Sequence, residues 1–110
     1  MKAKNEFRMT VESRSVNESF VRSTVAAFAA QLDPTIEEIA DIKTAVSEAV
    51  TNCIVHAYAD KVGKIYIYAA VYDDNKIKIS IRDRGCGIED IETAKTPLFT
   101  TLGGERAGLG

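Results

Sequence analysis

Cysteine is scarce, neither sign of charge is in surplus, and no apolar run reaches membrane-spanning length. Each absence removes a class of protein. The two cysteines, Cys53 and Cys86, are too few and too widely spaced for a zinc signature or a disulfide framework, so both read as free thiols in a reducing compartment. Cys53, on an apolar helical stripe, reads as a small core residue. Fourteen Lys and Arg against sixteen Asp and Glu give a net charge of -2. That leaves no bulk attraction to nucleic acid or to an anionic membrane, so any effect on DNA is expected to be indirect. The opening MKAKNEFRMT is alternating and charged where a signal sequence needs an apolar centre. No run approaches the roughly 20 residues of a membrane helix, and a cytoplasmic location is predicted. What is present is ordinary: 45% hydrophobic and 27% charged residues over 110 positions suffice for one core and not two. A single domain over 1–110 is expected, without linker, repeat or low-complexity tract.

Periodicity supplies the elements. From Glu6 to Glu12 apolar and polar residues alternate, with Phe7, Met9 and Val11 on one face of a strand. Ser15 and Glu18 have capping-box spacing, and Val21, Val25, Phe28 and Leu32 then recur at helical intervals. This predicts a first helix to about Gln31. Asp33 before Pro34 reads as a second helix start. Its apolar stripe is Ile36, Ile39, Ile42, Val46, Ala49, Val50, Cys53 and Ala57, reaching Tyr58. Ile65, Ile67, Ala69 and Val71 alternate with tyrosines. After Asp73, Asp74 and Asn75 the alternation resumes at Ile77, Ile79 and Ile81, which predicts a β-hairpin. The glycine-rich remainder from Asp83 to Gly110 reads mostly as loop, with a short helical stretch around Ile88 to Ala94. Two helices on an antiparallel sheet make an α+β two-layer sandwich. Its first strand could pair with a copy in a second subunit.

Three segments can carry chemistry. On the second helix Glu48, Asn52 and His56 are spaced by four and share a stripe roughly opposite the apolar one. Alone, the trio reads as a solvated face. Directly after a strand, Asp83-Arg84-Gly85-Cys86-Gly87 delivers a carboxylate into a glycine loop. An acceptor-only Asp there can read the amino group of adenine, with Gly85 and Gly87 giving the ligand close approach. The bland alternative is an Asx turn. Finally, Gly103 to Gly110, preceded by Thr100 and Thr101, can form an anion nest with Arg106 as a phosphate contact, or be a flexible tail.

In this order SEAVTNCIVHAY, DRGCGI and GLG resemble the N box and the two glycine boxes of the GHKL (Bergerat-fold) ATPases, the superfamily of gyrase and the histidine kinases. The longer stretches SFVRSTVAAF, QLDPT, IKTAVSEAVTN and PLFTT are similar to its anti-sigma factors that are also serine kinases, in the branch that acts in sporulation. The similarity runs along essentially the whole chain.

That resemblance implies a set of roles. Glu48 is the general base, and Asn52 holds Mg2+ alongside the phosphates of ATP or ADP. Asp83 contacts adenine, and Gly85 and Gly87 shape its pocket. Thr100, Thr101, Arg106, Gly108 and Gly110 close over the phosphates. Arg22 faces the protein partners, although by residue type alone it reads equally as a solvated helix arginine. The implied partners are a sigma factor, an anti-anti-sigma protein whose serine is phosphorylated, and a second copy of the chain. The alternatives are a nucleotide-gated binding module without turnover and a general-stress relative. Members of the family continue past the second glycine box with a further helix and strands, so a C-terminally incomplete domain is expected.

Overall fold

A computed structural model describes residues 2–57 and 60–83, together with the backbone of Ile88–Ala94 and Phe99–Thr101. The elements are strand β1 (Asn5–Glu12), helix α1 (Val16–Ala29) with a 3-10 turn at Ala30–Leu32, and helix α2 (Ile36–Asn52) extended by a π-helical segment at Cys53–Ala57. Strands β2 (Lys64–Tyr72), β3 (Lys76–Arg82), β4 (Ile88–Ala94) and β5 (Phe99–Thr101) follow. The strands form one antiparallel sheet in the order β1-β2-β3-β4-β5, with β1 at an edge. Both helices cover one face, so the α+β two-layer expectation holds.

The core follows from alternation. Ile65, Ile67, Ala69 and Val71 of β2 and Ile77, Ile79 and Ile81 of β3 are buried against Val21, Val25 and Ala29 of α1 and Ile42, Val46, Ala49 and Val50 of α2. Each branched side chain removed from water there contributes about 1.5 to 3 kcal/mol before entropy is counted. Phe7 of β1 meets Phe28 of α1 edge-to-face at 4.7 Å, fastening the edge strand to the helix layer. The β2–β3 turn is three residues, Asp73, Asp74 and Asn75. Asn75 takes the left-handed conformation (φ 63°) that closes such a loop and that Asn tolerates.

Four expectations need correction. The capping box is at Thr35 and Glu38, not at Ser15 and Glu18. Thr35 Oγ1 accepts from the Glu38 amide at 3.1 Å, and the Thr35 amide donates to Glu38 Oε1 at 2.8 Å. Ser15 caps nothing with its side chain, because it is already helical in conformation and Glu18 is drawn to Arg22. Second, α2 does not start at Asp33-Pro34: Asp33 is left-handed (φ 57°), closing the 3-10 turn, and the helix opens two residues later. Third, Ile36 is therefore a first-turn residue, 89% exposed, and leaves the apolar stripe. Fourth, Ile88–Ala94 is strand and not helix. Seven backbone pairings with β3 outweigh the weak helical spacing of IEDIETA.

Candidate functional site

Helix α2 positions the polar stripe by burying the opposite one. With Ile42, Val46, Ala49, Val50 and Cys53 in the core, the 100° rotation per residue leaves Glu48 exposed and Asn52 half-buried, one turn apart on the outer side. The spacing-of-four rule lapses at His56. That residue lies in the π-helical segment, whose wider i→i+5 turn rotates less per residue, and its side chain is exposed. Cys53 is buried, as expected of a core thiol.

Chain connectivity brings the end of α2 and the end of β3 together. Residues 58–63 join α2 to the start of β2, and the register pairs Tyr66 near that start with Arg82 at the end of β3. Asp83, half-buried, follows Arg82 immediately. Asp83 therefore sits at the end of the sheet where β2 begins, the end that the connection from α2 reaches. Ser13 pins this end. Its amide donates to the Gly63 carbonyl at 2.9 Å and its Oγ accepts from the Gly63 amide at 2.8 Å, so the connection leaving α2 is tied to the end of β1. No sequence periodicity marks that buried serine. Nearby, Arg14 holds the Glu12 carboxyl below its ordinary range, through a side-chain hydrogen bond first and its charge second.

Arg22 is not a freely solvated arginine. Its Nη1 donates to Glu18 Oε2 at 2.8 Å and to Ser47 Oγ at 3.3 Å, and Nη2 donates to Ser19 Oγ at 3.3 Å. The guanidinium bridges α1 to α2 one residue before Glu48. Ser47 was not singled out by the sequence, where only its place beside Glu48 could have flagged it.

Thr100 and Thr101 are on β5, at backbone positions paired with Glu92 and Ile91 of β4. Gly85, Gly87, Cys86, Arg106, Gly108 and Gly110 lie outside the described residues. An Asn amide oxygen is a hard ligand suited to Mg2+ that keeps most of its ligands from phosphate and water. A half-buried carboxylate at a strand end is a fitting acceptor for an amino group. The residues present therefore fit Mg2+ and an adenine nucleotide.

Two helices on one face of an antiparallel sheet make an α+β two-layer domain. The chain belongs to the histidine kinase-like ATPase domain family, whose model matches residues 10–110. It is 64% identical over 111 residues to the anti-sigma F factor of Caldanaerobacter subterraneus subsp. tengcongensis, covering all of this chain and 77% of that protein. Identity is 63% to the anti-sigma F factor of Thermoanaerobacter pseudethanolicus, with the same coverage. It is 50% over 108 residues to that of Geobacillus stearothermophilus, covering 97% of this chain and 74% of the relative. Among the described residues no helix is long and apolar enough to cross a membrane.

Proposed function

We propose that this chain is a cytoplasmic anti-sigma factor that binds ATP, sequesters a sporulation sigma factor, and phosphorylates a serine of an anti-anti-sigma protein. The observation that carries the reading is the segregation of α2: Ile42, Val46, Ala49, Val50 and Cys53 are core, while on the other side Glu48 is exposed and Asn52 half-buried, and Asp83 directly follows the end of β3. The names of the relatives at 50–64% identity support the sigma-factor part.

Bound ATP with Mg2+ supplies the transferable phosphoryl group. Glu48, exposed and acceptor-only when ionised, takes the proton of the incoming serine hydroxyl as general base. Asn52 offers its side-chain oxygen to Mg2+. Asp83 accepts from the adenine amino group and selects against guanine, which carries a carbonyl there. Gly85, Gly87, Thr100, Thr101, Arg106, Gly108 and Gly110 serve the pocket and the phosphates, with Arg106 offsetting charge at the transferring group. Arg22 meets the protein partners with a guanidinium already oriented by Glu18 and Ser47. A homodimer through the edge strand β1 fits a strand with one neighbour among the described residues.

The test is incubation with labelled ATP and an anti-anti-sigma protein, followed by sigma-factor pull-down with and without nucleotide. Label on the acceptor serine and ATP-dependent capture are expected. Capture without any transfer would instead assign a nucleotide-gated binding module, and no capture would remove the anti-sigma reading.

A further inference from the structure

The face of the sheet away from the helices carries a shallow groove of about 320 Å³. Strand register builds it from two rows, Arg8-Tyr68-Ser80 and Thr10-Tyr66-Arg82, which puts the two guanidinium groups at opposite corners. Arg8 lies 4.6 Å above the centre of the Tyr68 ring, and Arg82 lies 5.9 Å from that of Tyr66. A guanidinium stacked on a ring spends its face on the aromatic and keeps its in-plane N–H groups for a carboxylate or phosphate. Among the described side chains no carboxylate lines the groove. Glu6, on the same strand, accepts the Tyr68 hydroxyl at 2.6 Å and is 4.0 Å from Arg8, while Asp90 stands opposite Ser80 in the β4 register.

Size and surface decide what fits. The volume is at the lower end of small-molecule sites, which span roughly 300 to 1,000 Å³, and is too small for a peptide or nucleic-acid strand. With arginines over both tyrosines, little ring surface is left for a base to stack on, so the recognised part is the anion itself.

We propose that this groove is a second anion site, taking a small di- or triphosphate anion through Arg8 and Arg82, on the face opposite the helices that carry Glu48 and Asn52. It does not rest on the kinase or sigma-factor reading, because neither arginine has a nucleotide, metal or partner-protein role there, although Arg8 lies on the strand β1 of the proposed dimer edge.

The test is titration calorimetry of the full chain with inorganic pyrophosphate while excess ADP occupies the nucleotide site. Saturable binding that persists with ADP and weakens as salt rises is expected. Arg8→Ala and Arg82→Ala should each weaken it about tenfold, the loss of one charge-assisted contact. Both side chains are exposed, so melting curves should show folded variants, and the lysine replacements should retain part of the affinity. Four results would overturn the site: no saturable pyrophosphate binding, full competition by ADP, equal affinity in both alanine variants, or a dimer that either variant dissociates. The last would mean that a second copy covers the groove.

Discussion

The two faces of α2 are made of the same helix and obey opposite rules. On one, Ile42, Val46, Ala49, Val50 and Cys53 are sealed between α1 and the sheet, and their identity is constrained by volume. On the other, Glu48 is exposed and Asn52 half-buried. The fold needs neither residue, since Gln or Ala at those positions would serve a helix as well. An acid and an amide one turn apart on a face that asks nothing of them point to chemistry, and the buried stripe is what fixes their direction.

The largest effect should come from the undemanding face. Glu48→Gln keeps shape and removes the proton acceptor, so phosphoryl transfer should fall about 10²- to 10⁴-fold, with melting temperature and ATP affinity nearly unchanged. A radiolabel assay beside calorimetry measures both. Undiminished transfer would erase the contrast between the faces.

The buried face should show the converse. Ile42→Ala, deep in the core, should cost about 2 to 5 kcal/mol of stability, measured by urea unfolding. Under conditions where the variant is folded, transfer per folded molecule should remain. If activity were lost in proportion far beyond unfolding, the two faces would not be separable.

Asp83 extends the comparison to the strand end. Asp83→Asn should lower ATP affinity about ten- to a hundredfold, the loss of a contact of about 1.5 to 3 kcal/mol. The preference for ATP over GTP should shrink with it. An unaltered preference in a destabilised variant would assign Asp83 to its turn alone.

The smallest effects concern the helix starts. Thr35→Ala removes an observed cap and should cost about 0.5 to 2 kcal/mol, while Ser15→Ala, where no side-chain cap exists, should fall within about 0.5 kcal/mol of the parent. Equal losses in paired denaturation curves would contradict the placement of the capping box.

Strand alternation and helical spacing were legible because each depends on a short window. Phe7 to Val11, Ile65 to Val71 and Ile77 to Ile81 point inward as their period requires. Glu48 and Asn52 were legible for the same reason. The strand Ile88–Ala94 was not, because IEDIETA has no clean period of two, and its conformation is set by the partner strand β3. Nor was the start of α2: Asp-Pro and Thr-Ile-Glu-Glu are both start signals, two residues apart. The left-handed Asp33, needed to turn the chain out of the preceding 3-10 turn, decides for the second.

The sequence by itself determined the layers, the hairpin and the two stripes of α2, since these follow from side-chain period and the cost of wetting apolar surface. Its motifs also pointed to the family that the full-length similarity shows. Only the tertiary structure decided which groups meet. Arg22 is braced against Ser47, Ser13 ties Gly63 to the end of β1, and Arg8 and Arg82 flank one groove. Each of these contacts joins residues at least 25 positions apart, and such pairing is set by packing and register, which no local pattern encodes.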